Sequence, residues 1–262
     1  MLEFQNHLFH KHFLFLQFKI SPMISKEQIK FIRSLHRKKF RDVHQQFIIE
    51  GPKMISEAIR YAPENLIQIY GTEAIQEKLP EHVLFEEIDD KALGQISTLK
   101  HPQNQVAVCS YLPKTTSRSE FFIALDTIQD PGNLGTILRL ASWFGVEHII
   151  ASKETVDCYN PKVVQASMGA IFNVNIEYVD LKSEFEATEL PIYGSLLEGE
   201  NIYEKKIQRK GILVMGNEGN GIDESLLPLI TDSITIPKFG KGESLNVAMA
   251  TSIFLSEFSR PR

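Results

Sequence analysis

The sequence predicts an α/β protein in two parts, a smaller α/β unit followed by an α/β domain on a mainly parallel sheet. Three observations carry this. Short β-like runs alternate with helical stretches along the chain. In the second half the strands become continuous apolar runs such as Phe121–Leu125, as strands buried on both faces do. Between the halves, Leu112–Ser119 is polar, contains proline and lacks periodicity, which is the composition of a linker.

The 262 residues are 43% hydrophobic and 23% charged. That length allows one large domain or two ordinary ones, with enough apolar material for a core that needs no staples. Disorder, collagen and small secreted scaffolds are excluded. The two cysteines, Cys109 and Cys158, lie far apart without CxxC spacing. They build neither a cysteine zinc site nor a disulfide framework, and a reducing cytoplasm is the simplest location.

Residues 1–22 are aromatic-rich and interrupted by His, Lys and Gln. The longest apolar run there, Phe13–Leu16, is too short to span a bilayer, and a signal peptide's unbroken apolar centre is missing. We expect an extension preceding the folded protein; the alternative is a tail that packs on a partner. Residues 23–111 form the first expected domain. It opens with a basic helix over Ser25–Lys39, then a strand at Phe47–Glu50. Gly51-Pro52 starts a helix through Tyr61, with proline at a tolerated early position. Leu66–Tyr70, Val83–Ile88 and Gln105–Tyr111 read as strands, and Glu73–Lys78 and Asp89–Gln95 as helices.

After the linker at 112–119, residues 120–262 form the second domain. Its expected strands are Phe121–Leu125, Glu147–Ala151, Phe172–Ile176, Pro191–Leu196, Gly211–Met215 and Ser233–Ile236. Helices are expected at Asn133–Phe144, with Leu134, Ile137, Leu138 and Ala141 on one stripe, and at Pro161–Met168. Another begins near Asp223, and the last runs from Ser244 to Phe258 before Pro261.

The net charge of −5 hides an asymmetry. Between Lys26 and Arg60, nine Lys and Arg stand against four Asp and Glu. Such a block, including Arg37, Lys38, Lys39 and Arg41, is a candidate phosphate-binding face. A solvated amphipathic helix would look the same.

Ligands of open α/β sheets gather at the carboxyl ends of strands, and three segments of the second domain fall there. In Asp130-Pro131-Gly132-Asn133-Leu134-Gly135, Pro131-Gly132 makes a tight turn, Asn133 is placed to cap a helix, and Arg139 follows on roughly the same side. These two could hold a ribose and a phosphate, or be a cap and an exposed helix arginine. The second segment, Gly216-Asn217-Glu218-Gly219-Asn220-Gly221-Ile222, lacks the spacing of a dinucleotide fingerprint. Its glycines admit a ligand close to the backbone, or simply make a turn. The third, Ile236-Pro237 through Ser244-Leu245-Asn246-Val247-Ala248, contains Gly240-Lys241-Gly242 but fails the Walker pattern. Ser244 is a good N-cap for the closing helix, with Asn246 on its first turn.

Together, in order and spacing, the three segments resemble the motifs of the SpoU (TrmH-type) RNA 2′-O-methyltransferases of the SPOUT superfamily, from Phe121 to the C-terminus. The stretch Ser34–Arg41 through Glu50-Gly51 resembles, more weakly, the L30e-like substrate-binding domain that many members carry. The resemblance implies a C-terminal α/β-knot, its last segment threaded through a loop, behind an L30e-like domain. It implies S-adenosylmethionine as methyl donor without a metal, a cytoplasmic homodimer with each site completed near the subunit interface, and ribosomal RNA as the favoured substrate over tRNA. Gly216, Asn217, Gly219, Ile236, Ser244, Leu245 and Asn246 would bind the donor, largely through backbone groups. Arg139, Asn133 and Glu218 would be catalytic, and Arg37, Lys38, Lys39 and Arg41 would contact RNA. Family proposals make the arginine a general base, whereas a guanidinium rarely deprotonates and serves better as a clamp. A non-catalytic RNA-binding protein and a tRNA methyltransferase are the rival readings. A nucleotide-binding oxidoreductase lacks its glycines.

Overall fold

The computed structural model describes residues 24–260 apart from 74, 76, 77 and 116–118. The expectation for residues 1–22 lies outside the described residues, as does part of the 112–119 stretch.

Two sheets organise the chain. The first contains β1 (Gln46–Glu50), β2 (Leu66–Gly71), β3 (Leu84–Glu87) and β4 (Gln105–Ser110), in the order β1-β4-β2-β3. β4 runs antiparallel to both its neighbours and β3 parallel to β2. Helix α1 (Lys26–Ser34), α2 (Lys38–His44), α3 (Pro52–Tyr61) and α4 (Asp90–Ile96) surround it. Ile32 and Leu35 join Leu93 and Ile96 on one face, and Met54, Ile55 and Ala58 of α3 cover the other. At about 1.5–3 kcal/mol for each large apolar side chain taken from water, these layers outweigh local propensity.

The single basic helix expected over Ser25–Lys39 is two helices. Ser25 and Gln28 close a capping box at the start of α1. The chain then turns so that Leu35 is fully buried, and the Leu35 carbonyl accepts from Arg41 Nη1 at 3.0 Å instead of continuing the helix. The helix expected at Glu73–Lys78 does not form at its described residues Glu73, Ile75 and Lys78.

The second sheet contains β5 (Phe121–Leu125), β6 (His148–Ser152), β7 (Asn175–Val179), β8 (Ile192–Asn201), β9 (Gly211–Met215) and β10 (Asp232–Thr235). Its order is β10-β8-β9-β5-β6-β7, with every pairing parallel. Helices α5 (Pro131–Trp143), α6 (Pro161–Ser167) and α8 (Val247–Phe258) bury Leu134, Ile137, Leu138, Val163, Phe254 and Leu255 on one face. Leu181 and Phe185 of α7 (Leu181–Glu186) pack on the other with Ile222 and Leu226.

Three expected elements move and one helix is additional. The strand placed at Phe172–Ile176 begins at Asn175, because Ala170–Phe172 form a 3-10 turn that sends Ile171 into the core under α3. Helix α7, capped by Asp180, was not anticipated. The helix expected near Asp223 is a turn followed by 3-10 residues Leu227–Leu229. The closing helix starts at Val247, after Asn246, not at Ser244.

The two halves pack on each other. Val164 and Ile171 enter the apolar cluster of Phe47, Met54 and Ile55. Tyr111 stacks on Tyr159 with ring centroids 4.0 Å apart, and Leu112 N–H donates to the Tyr159 hydroxyl at 3.0 Å. Arg41 Nη2 reaches Asp157 Oδ2 at 2.6 Å.

Candidate active site

The carboxyl ends of β5, β9 and β10 feed three loops that meet. After β5, buried Asp126 accepts the Asp223 N–H at 2.7 Å and the Thr127 hydroxyl at 2.9 Å. Asp130, not Asn133, caps α5: its Oδ1 accepts the Asn133 N–H at 2.8 Å, and Pro131 fills the first helical position, where no N–H is needed. The Asn133 side chain is thereby released. After β9 the chain doubles back between Asn217 and Gly221, which exchange backbone hydrogen bonds of 2.8 and 2.9 Å. Asn217 Oδ1 accepts from Gly219 N–H at 2.9 Å and Asn220 N–H at 3.2 Å, and its amide donates to the Thr127 carbonyl at 2.8 Å. A Cβ on Gly216 would lie 2.3 Å from the Gly221 carbonyl carbon, so this turn closes only over glycine.

The side chains form a polar chain across the loops. The Asn133 amide donates to Glu218 Oε1, and the Asn246 amide donates to Asn133 Oδ1 at 3.0 Å. Asn246 also caps α8, its Oδ1 accepting from Ala248 N–H at 3.0 Å and Met249 N–H at 3.3 Å. The structure thus brings together Asn133, Glu218 and Asn246.

It does not bring Arg139 to them. Six helical residues advance about 600°, which leaves Arg139 roughly 120° round α5 from Asn133. Arg139 is exposed, with no hydrogen bond or ion pair among the described residues. It shares the outer face of α5 with Trp143, four residues on and 84% exposed.

Thr127 was missed from sequence. It is a β-branched residue in the left-handed region, at φ 56°. The conformation is held by the Asn217 contact and by Thr127 N–H donating to Ser152 Oγ at 2.9 Å. Such strain costs on the order of 1–3 kcal/mol and collects at functional sites. An aspartate ending a buried strand, Asp126, was the available local signal.

The remaining candidate donor residues line the β10 loop. Ile236 is half-buried, and Ser244 and Leu245 are exposed. Among the described residues, no backbone group from Lys238 to Leu245 is hydrogen-bonded within the chain. Unclaimed N–H and C=O groups, the 52% exposed Leu245 side chain and the glycine turn at Gly216 fit an amphipathic adenosyl ligand held by its ring edge.

Of the expected RNA contacts, Arg37 and Lys39 are exposed and unpaired among the described residues. Lys38 pairs with Asp42 at 2.8 Å, and this hydrogen bond raises its pKa. Arg41 is a correction: it is 2% exposed and spent on Asp157 and Leu35, so it belongs to the interior. The cationic surface instead continues through Lys30 and Arg33, which line a 340 Å³ hollow with Ser34, His36, Arg37 and Phe40.

Among the described residues, no group of three or more His, Cys, Asp or Glu could hold a metal ion, and no helix is long and apolar enough to cross a membrane.

A parallel sheet whose strand-end loops converge on one polar cluster defines the class of α/β proteins that hold their ligand at the carboxyl ends of the strands. Residues 120–256 match the SpoU rRNA Methylase family, and residues 26–107 match the MRM3-like substrate binding domain. The chain is 29% identical to the 23S rRNA (guanosine(2553)-2′-O)-methyltransferase RlmP of Bacillus subtilis, over 87% of its own length and 94% of that protein's. A TrmH-family protein from Porphyromonas gingivalis is 38% identical, with a TM-score of 0.82 over 90% of this chain and 98% of the other. An AdoMet-bound rRNA methyltransferase from Sinorhizobium meliloti is 28% identical, with a TM-score of 0.76 over 88% and 93%. The chain belongs to the SpoU rRNA methylase family, with the α/β-knot of the SPOUT fold behind a smaller α/β substrate-binding domain.

Proposed function

We propose that this chain is an S-adenosylmethionine-dependent methyltransferase that modifies a ribose 2′-hydroxyl of ribosomal RNA. The observation that carries this is the meeting of Asn133, Glu218 and Asn246 at three strand ends, in a member of an rRNA methylase family. The relatives that act on ribosomal RNA favour it over tRNA.

The loops after β9 and β10 hold the donor, with Gly216, Asn217 and Gly219 shaping one wall and Ile236, Ser244 and Leu245 the other. Bound there, S-adenosylmethionine supplies a methyl group already activated on a sulfonium. The chain then has two tasks, alignment and control of charge at the 2′-oxygen. Alignment of reacting atoms can supply roughly 7–11 kcal/mol of barrier reduction. Asn133 and Glu218 orient the ribose, and Asn246 fixes Asn133 in turn. Arg139 clamps the neighbouring phosphate and, keeping its own proton, stabilises negative charge growing on the 2′-oxygen as the C–O bond forms, the S–C bond breaks and the hydroxyl proton passes to solvent.

The active form is a homodimer. Trp143 at 84%, Met249 at 60% and Leu245 at 52% exposure leave large apolar side chains uncovered on α5, on α8, which packs against it, and just before α8. Arg139 on this face would complete a site near the subunit seam. Cys109 and Cys158 are buried free thiols, as suits a reducing cytoplasm.

Calorimetric titration with S-adenosylmethionine, with the demethylated product as competitor, tests the reading without knowledge of the RNA. Saturable micromolar binding, about −8 kcal/mol, is expected. No binding by folded protein at millimolar donor contradicts it.

A further inference from the structure

Arg41 and Asp157 stand 116 positions apart in sequence and meet at 2.6 Å, with their side chains only 3% and 12% exposed. Arg41 belongs to α2, the helix that presents Lys38 and Lys39 outward. Asp157 belongs to the loop after β6, and its Oδ1 accepts the Tyr159 N–H at 3.1 Å. That loop is bonded directly to the first active-site loop. Val156 N–H donates to the Ile128 carbonyl at 2.8 Å, and Ile128 N–H donates to Thr155 Oγ1 at 3.2 Å. One residue before Ile128 is the strained Thr127, whose carbonyl anchors Asn217. A path of hydrogen bonds and peptide links therefore runs from the basic helix, through a buried ion pair and the 155–157 loop, to the turn that carries Asn217 and Glu218.

We propose that Arg41 and Asp157 are positioning residues: their ion pair fixes the RNA-holding half against the 126–133 loop, so that RNA seated on the α1–α2 surface delivers its ribose in register with Asn133. Three features support this over a generic domain contact. The pair is buried and hydrogen-bonded at a fixed geometry, where an exposed pair would be screened and mobile. Arg41 Nη1 also holds the Leu35 carbonyl at the α1–α2 corner, so both helices move with it. The far end of the network touches a residue in a strained conformation, which relaxes when its supports are removed.

The claim about register rests on the function proposed above, but the mechanical link does not, and the two are measured separately on the full chain. Amide hydrogen exchange needs neither RNA nor donor. In Asp157→Asn, exchange at Thr127, Ile128 and Val156 should quicken at least tenfold, with β9 amides within twofold of the unsubstituted chain. Unchanged exchange at those three amides overturns the link. An equal rise in β9 also overturns it, because the pair would then be general stability. Methyl transfer is the second arm. In the same variant kcat should fall at least tenfold, while KM for RNA and for donor stay within threefold. Unchanged kcat overturns the positioning role. If Asp157→Asn does not fold, the double variant Arg41→Met with Asp157→Leu removes both charges together and takes the same two readouts. An unsubstituted chain with no methyl transfer would refute the proposed function and leave the exchange arm to decide the link.

Discussion

The side-chain amide of Asn246 donates to Oδ1 of Asn133 at 3.0 Å, joining the start of α8 to the first turn of α5 across 113 positions of sequence. Asn246 does two things with one side chain: its oxygen caps α8 and its nitrogen fixes the residue that meets Glu218. Aspartate keeps the capping oxygen and loses the donor. Asn246→Asp should therefore retain thermal stability while methyl transfer falls about tenfold or more. Asn246→Ala loses both, including about 1 kcal/mol of cap. Thermal unfolding beside initial rates checks this, and equal activity in the aspartate variant would remove the Asn246–Asn133 contact from the account.

Arg139 has no partner among the described residues and lies outside the donor loops. Arg139→Ala should abolish methyl transfer and leave the affinity for S-adenosylmethionine within a few-fold. Calorimetry and single-turnover rates separate the two effects. Full activity would exclude Arg139 from the reaction.

Lys30, Arg33 and Arg37 surround a hollow on the first domain. Cations that touch phosphates contribute to the salt dependence of RNA binding, about 0.7 of log–log slope each on a single strand. Changing all three to Gln should weaken binding and flatten that slope by roughly 2. An unchanged slope would mark the cluster as a solvated face.

His36 supplies a pH signature. Burial pushes its pKa below the ordinary 6.5, against the opposing pull of its contact with the Ile96 carbonyl at 3.0 Å. With a depressed folded-state value, the unfolded chain binds more protons just below 6.5, so this contribution is present above that pH and lost as the pH falls through the folded value. His36→Gln keeps a donor for Ile96 and cannot titrate. The stability difference between the two chains should shift against histidine as the pH falls below about 6.5. Parallel stability curves would contradict this.

The sequence was most informative where chemistry and pattern coincide. Continuous apolar runs such as Phe121–Leu125 and Gly211–Met215 are strands at those bounds, because burial on both faces leaves no other pattern. Side-chain direction was less legible. Arg41 sits in a basic run with Lys38 and Lys39, and nothing local tells that it faces Asp157, far away in sequence. Ser244 and Asn246 are both good caps, and tertiary contact with Asn133 selects the second. Asn133 looked like a cap because it begins the apolar stripe, but Asp130 three residues earlier takes that role. The left-handed conformation of Thr127 contradicts its own propensity and is imposed by Asn217 and Ser152.

The most direct test of the account is to incubate the full chain with methyl-labelled S-adenosylmethionine and ribosomal RNA lacking the modification, then hydrolyse the RNA in alkali. A 2′-O-methyl group blocks attack on the adjacent phosphate, so label is expected in a single alkali-resistant dinucleotide. Label recovered only on free nucleotides would place the methyl on a base, and no incorporation by folded, donor-binding protein would contradict the transferase reading.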